Sequence, residues 1–126
     1  MWYCVHALFY FEYRDGNQDD YLVWENMYLI QATSPDEAKA KGEFQAMKTE
    51  KESEDDSLKL NERPARFKFA AIRKVVECQD LDEQTGRPTD GTEISYSEFM
   101  VSNKEDFSKL ICASTATVDY IGSQER

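Results

Sequence analysis

The sequence predicts a single α+β domain: a four-stranded, mainly antiparallel sheet with two helices on one face, in the order β-β-α-β-β-α. Two observations predict this fold. Four aromatic-rich segments show the two-residue periodicity of strands, and a Ser-x-x-Glu pattern that caps helices follows each pair of them. A chain of 126 residues, 40% hydrophobic and 13% aromatic, is long and apolar enough to bury one core. We expect the domain to span residues 1–121.

The first two strands are predicted to form a hairpin. Residues 2–13 contain no Gly or Pro and are apolar on both alternating faces, which indicates a central strand covered on both sides. The pair Asp15-Gly16 favours a turn. Residues 21–32 would form the return strand, whose more apolar face carries Leu22, Trp24, Tyr28 and Ile30.

Ser34 is predicted to cap the first helix, with Pro35 at its first position. Glu37 would complete the capping box by reaching back to the Ser34 amide. The helix should end within residues 49–52, and Gly42 should weaken it by about 1 kcal/mol. Its buried stripe is predicted to comprise Ala40, Phe44 and Met47.

The segment after this helix, residues 50–65, is rich in acids and lacks a core pattern, so we expect a mobile acidic linker. Residues 66–79 predict a third strand, with a bulge over residues 70–72 where the alternation slips. A long turn over 80–91 then leads to a fourth strand over 92–101. The sequence leaves open whether the two hairpin turns lie at the same end of the sheet.

The second helix is predicted to begin at a capping box formed by Ser102 and Glu105. Its buried stripe should consist of Phe107, Leu110 and Ile111. Residues 115–121 alternate once more and predict an additional edge strand, and residues 122–126 should be disordered.

The chain carries 15 basic and 25 acidic residues, a formal net charge of −10. Phosphate backbones and anionic lipid surfaces repel such a chain, so we expect neither nucleic acid nor membrane as a partner. The apolar N-terminal run has no basic segment before it and is interrupted by His6, Glu12 and Arg14. It is therefore predicted to be neither a secretion signal nor a membrane span, and we expect a cytoplasmic protein.

The three cysteines, Cys4, Cys78 and Cys112, are odd in number and widely spaced, which disfavours a disulfide framework. Together with His6 they offer the donor types of a zinc site. Structural zinc sites usually use closely spaced ligand pairs, however, and the sequence contains no such pair. We therefore predict three thiols in a reduced core, with no metal and no cofactor.

Three groups of residues resemble a known family. The first is the opening Trp2-Tyr3. The others are Trp24-Glu25 leading to Gln31-Ala32-Thr33-Ser34 and Asp36-Glu37-Ala38, and Asp90-Gly91-Thr92-Glu93-Ile94-Ser95 after a Val-Val-Glu segment. Over most of residues 1–111 the chain resembles a family of short bacterial proteins known only as a domain of unknown function. The resemblance implies a shared fold and identifies no catalytic residue.

Motifs that indicate an enzyme are absent from the sequence. It has no glycine-rich phosphate loop and no Gly-x-Ser-x-Gly elbow. His6, the one histidine, lies beside Cys4 and Leu8 and is predicted to be a hydrogen-bonded core residue. The acid clusters lack EF-hand spacing, so we interpret them as solvated. We expect a protein that is not an enzyme; a small metal-dependent enzyme using clustered carboxylates is an alternative.

Two features favour protein binding. Because two helices cover only one face of the sheet, one aromatic set of the first strand should stay uncovered, either Trp2, His6 and Tyr10 or Tyr3, Phe9 and Phe11. Acidic patches around this face would speed association with a basic partner. The predicted partner-binding residues are Trp2, His6, Tyr10, Asp19, Asp20, Glu54, Asp55, Asp56, Asp80, Asp82 and Glu83.

The leading functional hypothesis is an acidic inhibitor or immunity-type protein that neutralises a bacterial toxin by direct binding. Toxins that degrade nucleic acid need basic clefts, and an acidic protein with aromatic anchors could fill one. The alternative is a structural or regulatory homodimer that pairs through the aromatic sheet face or the tail strand.

Overall fold

A computed structural model describes residues 1–112 and 114–121, so the predicted tail 122–126 lies outside the described residues. The elements of the described part are β1 (Trp2–Tyr13), β2 (Val23–Gln31), α1 (Pro35–Glu52), β3 (Lys59–Leu60), β4 (Arg63–Glu77), β5 (Glu98–Met100), α2 (Lys104–Ile111) and β6 (Asp119–Ile121). The α+β class and the first three predicted elements are confirmed.

The main sheet has four antiparallel strands in the order β2-β1-β4-β3. β1 is central, as its two apolar faces predict. The predicted bulge is also confirmed, because the β1–β4 register shifts at two places and leaves Ala70 and Arg73 without a directly opposite residue. These shifts keep Phe9 and Phe11 of β1 on the same face as Phe67 and Phe69 of β4, and Phe9 stacks on Phe67 with ring centroids 4.6 Å apart.

Residues 50–65, predicted as a mobile acidic linker, contain regular secondary structure. This segment contains the last turn of α1, the short strand β3 and the start of β4. Asn61 and Glu62 join β3 to β4 with φ angles of 53° and 64°, the backbone of a tight two-residue hairpin turn. Asparagine tolerates this conformation well, and the flanking Leu60 and Arg63 pair across the turn.

Helix α1 packs on one face of the sheet, against β1, β2 and β4. Its predicted cap is confirmed, since Ser34 Oγ accepts a hydrogen bond from the Glu37 amide at 3.1 Å. The Glu37 carboxylate reaches back to Thr33 instead of Ser34. The predicted stripe is wrong: Phe44 is 73% exposed, and Met47 is exposed as well. The helix instead buries its small residues, Ala38, Gly42 and Ala46.

The predicted fourth strand is not part of the main sheet. Only Glu98–Met100 of it is a strand, β5, which pairs with β6 from the predicted tail strand in a separate two-stranded sheet. Helix α2 begins one residue later than predicted, because Asn103 caps it through the Asp106 amide at 2.8 Å. α2 has no buried residue, so its predicted buried stripe is wrong as well. The residues of that stripe, Phe107, Leu110 and Ile111, are exposed.

Candidate protein-binding site

The sheet face opposite α1 is covered at the end of the sheet where β1 begins. Here residues 93–97 cross the sheet: Gln79 and Glu93 exchange two backbone hydrogen bonds of 2.9 Å, and Cys78 Sγ contacts the Ile94 carbonyl at 3.5 Å. As a result His6 is only 1% exposed. The prediction that His6 belongs to an open contact face is therefore wrong, because a segment predicted as a strand lies across that face instead of extending the sheet. Trp2, at the start of the same strand, is half-buried.

A chain of polar side chains lies beneath this cover. His6 Nδ1 is 2.5 Å from a Glu25 carboxylate oxygen, and His6 Nε2 is 2.5 Å from Ser95 Oγ. Since a carboxylate only accepts, Nδ1 donates to Glu25 and the neutral ring accepts from the Ser95 hydroxyl at Nε2. Arg73 donates two hydrogen bonds to the Glu25 carboxylate, at 2.7 and 2.9 Å. Lys74 donates to the Tyr96 carbonyl.

The electrostatics of this cluster favour a neutral imidazole between charged neighbours. Burial lowers the pKa of His6, and Glu25 only partly opposes that shift. Burial also acts to raise the pKa of Glu25, but the hydrogen bonds from Arg73 and His6 outweigh it and hold that pKa below its usual value. The pKa of Lys74 is lowered by burial and by the neighbouring Arg73.

On the same face, at the end of the sheet where β1 ends and β2 begins, there is an open apolar groove of about 330 Å³. Its apolar side chains are those of Leu8, Tyr10, Tyr21, Val23 and Ala70, with Glu12 beside them. Tyr10 packs edge-on against Tyr21, with ring centroids 6.0 Å apart. Tyr21 is 59% exposed and Val23 is 51% exposed, so large apolar side chains meet solvent here. Of the three predicted aromatic residues of this face, Tyr10 is the one in the groove.

Two exposed carboxylates, those of Asp19 and Asp20, lie in the β1–β2 connection and line a separate cavity together with Tyr13, Leu22 and Arg63. Asp20 directly precedes Tyr21, whose ring lines the groove. Within residues 1–112 and 114–121, neither carboxylate has a hydrogen bond or an ion pair, so both charges face solvent. This end of the sheet therefore combines aromatic side chains with uncompensated negative charge.

The cluster Glu54, Asp55 and Asp56 lies at the same end of the sheet, but on the side of α1. Arg14, just after β1, is 3.5 Å from the Asp56 carboxylate. Arg63, at the start of β4, is 2.8 Å from Asp15. The acids of the first turn and of the α1 terminus thus meet at one end, and part of their charge is compensated by arginine.

The third predicted cluster, Asp80, Asp82 and Glu83, lies at the opposite end. Tyr3, at the start of β1, pairs with Glu77, and residues 80–91 follow from there. The β1–β2 turn and the turn over residues 80–91 are therefore at opposite ends, and their acids do not form a single rim. Asp82 is engaged within its own turn, because its Oδ1 accepts hydrogen bonds from the amides of Gln84 and Thr85.

The cysteines of the weighed zinc set do not converge. Cys4 and Cys78 are buried, whereas Cys112 is exposed beyond α2. Among the described residues, no three His, Cys, Asp or Glu side chains are grouped closely enough to hold a metal ion. Within the same part of the chain, no helix has the length and apolarity required to cross a membrane.

The fold and its surfaces define a small α+β protein in which one helix packs on a four-stranded antiparallel sheet. The chain belongs to the family described as "Domain of unknown function (DUF4288)", whose model matches residues 2–95. The matched region contains the main sheet, α1 and the polar cluster around His6, and it ends at Ser95. No curated protein and no solved structure matches the chain.

Sequence reasoning missed two parts of the site. Tyr21 and Val23 belong to the predicted return strand, whose pattern gives no indication that their side chains face solvent. The Glu25–Arg73 pair joins residues 48 apart in the chain. A period-two reading of β2 does place Glu25 on the same face as Val23, and an acid on an otherwise apolar strand face indicates a buried partner.

Proposed function

We propose that this chain is a non-catalytic protein-binding module and that its partner has a basic surface with a projecting apolar side chain. The single observation that carries the proposal is the apolar groove at the same end of the sheet as the exposed Asp19 and Asp20 carboxylates. Aromatic side chains supply most of the binding energy at protein interfaces, and charges around them mainly raise the association rate. Tyr10 and Tyr21 would anchor the partner, and the two acids would steer it.

The specific form that we propose is a cytoplasmic inhibitor or immunity-type protein that neutralises a bacterial toxin. A toxin that degrades nucleic acid has a basic cleft, because the cleft must hold a phosphate backbone. The net charge of −10 supports binding to such a cleft and disfavours nucleic acid or anionic membranes as partners. The charged end formed by Asp19, Asp20 and Asp56 would enter the cleft.

The Ser95–His6–Glu25 chain has the connectivity of a catalytic triad, and we propose that it is structural. In a triad, the buried carboxylate stabilises the imidazolium that forms during the reaction. Here Arg73 already balances the Glu25 charge through two hydrogen bonds. Burial also disfavours a charged His6. These features support a role in fastening residues 93–97 to the sheet.

The proposal is tested by titrating the purified chain with the product of the neighbouring gene in a calorimeter, at low and at high salt. We expect a one-to-one complex that weakens as salt increases, since exposed charges are screened. Tyr21→Ala should weaken the complex about tenfold or more. Asp19→Asn combined with Asp20→Asn should slow association with less effect on dissociation.

A matched control neutralises two exposed acids at the opposite end, through Glu83→Gln combined with Asp90→Asn. This variant has the same net charge as the Asp19 and Asp20 double variant, so it separates local steering from an effect of total charge. Equal loss of association rate in both variants would contradict the proposed surface. If the partner is a nuclease, one equivalent of the chain should abolish its activity; full activity in the complex would contradict the inhibitor proposal.

A further inference from the structure

Strand β2 is the edge of the main sheet, and one side of it is unpaired. Its pairing with β1 is defined at both ends: Phe11 donates to the Leu22 carbonyl, and Met1 and Ala32 exchange two hydrogen bonds. Antiparallel strands alternate between residues that bond to the neighbour and residues that face away. The residues of β2 whose backbone N–H and C=O groups point away from β1 are therefore Val23, Glu25, Met27, Leu29 and Gln31. Among the described residues, no other strand pairs with this edge.

This edge has one inward-pointing charge, Glu25, and lacks the other features that normally protect an exposed strand. Natural edges carry lysine, proline, bulges or inward-pointing charges that prevent pairing with another chain. β2 contains no Lys, Arg, Pro or Gly, although charged residues make up 32% of the chain. Its one charged side chain, Glu25, is already bound to His6 and Arg73. Met27 is 55% exposed and Leu29 is 44% exposed.

At one end of this edge, a side chain of α1 already occupies a backbone acceptor. Lys41 Nζ donates a hydrogen bond of 2.8 Å to the Gln31 carbonyl, which is an outward-facing acceptor. The part available for pairing therefore runs from Val23 to Leu29, and its midpoint is Asn26.

We infer that β2 pairs antiparallel with β2 of a second copy of this chain, about a twofold axis at Asn26, which joins the two main sheets into one. In this register Val23 faces Leu29 of the second copy and Trp24 faces Tyr28 of the second copy. Asn26 faces its own symmetry mate, so that the two amides can exchange hydrogen bonds. The register thus pairs an apolar residue with an apolar one, an aromatic residue with an aromatic one, and an amide with an amide. Such cross-strand pairs stabilise neighbouring strands.

Charge supports a second copy in this arrangement despite the net charge of each chain. Glu25 faces Met27 of the second copy, so no like charges oppose each other across the pair. Asp20 of one chain falls twelve residues along the pair from Asp20 of the other, about 40 Å at the rise of a strand. The acidic turns therefore lie at opposite ends of the interface. A register centred on Glu25 would instead bring the two Glu25 residues face to face.

The register is tested by cysteine cross-linking in a Cys112→Ser background, which removes the exposed native thiol. Asn26→Cys should form a disulfide-linked dimer under mild oxidation, because directly opposed residues of this type have Cα atoms about 4.5 Å apart. Val23→Cys is the matched control on the same exposed edge. Its symmetry mate lies six residues away, about 20 Å, so no link should form.

The association itself is tested by sedimentation of the full chain without added cysteines. The expected result is a species of twice the mass of one chain, which Leu29→Lys converts to a monomer. Phe44→Lys is the control, because it replaces a more exposed apolar residue on α1 and leaves β2 unchanged. Circular dichroism of each variant establishes that it is folded.

Three results would overturn the inference: a wild-type chain that sediments as a monomer at every concentration, a Leu29→Lys variant that stays dimeric, or Val23→Cys linking as readily as Asn26→Cys. Dimer formation does not depend on the proposed partner. A wild-type chain that binds the partner but does not dimerise would contradict the role of β2, and one that dimerises but does not bind the partner would contradict the role of the groove.

Discussion

Gly42 of α1 lies directly against Val5 of β1. A Cβ atom at residue 42 would be 2.4 Å from Val5 Cγ1, which is closer than carbon atoms approach one another. Val5 is fully buried in the central strand. The helix therefore approaches the sheet closely because residue 42 has no side chain, and the small residues Ala38 and Ala46 continue the same contact line.

Gly42→Ala should destabilise the protein although alanine favours a helix by about 1 kcal/mol. Overpacking against Val5 typically costs about 1–3 kcal/mol and should outweigh that gain. The free energy of unfolding, measured by urea denaturation, is expected to fall. Val5→Ala is also destabilising, but it makes room for the new methyl group. The double variant should therefore be more stable than the sum of the two single effects predicts. Increased stability of Gly42→Ala alone would contradict the close approach.

Stability should decrease as the pH falls below about 6.5, the usual pKa of histidine. The unfolded chain binds a proton at His6 in this range, whereas burial keeps the folded His6 neutral. The free energy of unfolding should then fall by at most about 1.4 kcal/mol per pH unit for this one group. Glu25 extends the loss below its ordinary pKa, because its folded pKa is also lowered.

The measurement is urea denaturation at several pH values between 4 and 8, compared with the variant His6→Gln. The variant should lose the slope between the ordinary histidine pKa and the range where carboxylates titrate. An unchanged slope in His6→Gln would assign the acid sensitivity to other groups.

One thiol of the native protein should react quickly with Ellman's reagent, and all three should react in denaturant. Cys112 is exposed, whereas Cys4 and Cys78 are buried. Burial and the neighbouring Cys78 raise the pKa of Cys4 to about 11, which suppresses its reactive thiolate. Cys112→Ser should abolish the fast reaction. Fast reaction of a second thiol would indicate that residues 93–97 leave the sheet readily.

Ser95 should not react with a fluorophosphonate probe under conditions that label serine hydrolases. Arg73 balances the Glu25 charge, so Glu25 is poorly placed to stabilise an imidazolium at His6. Mass spectrometry of the treated protein should show no adduct. Ser95→Ala should instead lower stability by about 1–3 kcal/mol, because it leaves the buried Nε2 acceptor of His6 without its partner. An adduct at Ser95 that disappears in His6→Gln would favour catalysis.

Local structure could be predicted because its causes lie within a few residues of each other. The Ser34 cap, the central position of β1 and the bulge of β4 all follow from short patterns of side chains. The hairpin turn at Asn61 and Glu62 also had a local cause, but the density of acids around it concealed the strand pattern. Residues 92–97 were wrongly predicted as a sheet strand for a different reason. They bind the sheet through side chains and isolated backbone groups, which a local pattern does not reveal.

The fold class, the order of the first elements and the lack of enzyme motifs can be read from the sequence, because periodicity, caps and composition are properties of neighbouring residues. Which apolar side chains are buried depends on the tertiary structure. Phe44 faces solvent while Gly42 is buried, and His6 is covered while Tyr21 is exposed. Burial depends on which distant segment arrives at a given face, and for this sheet those segments are α1 on one side and residues 93–97 on the other.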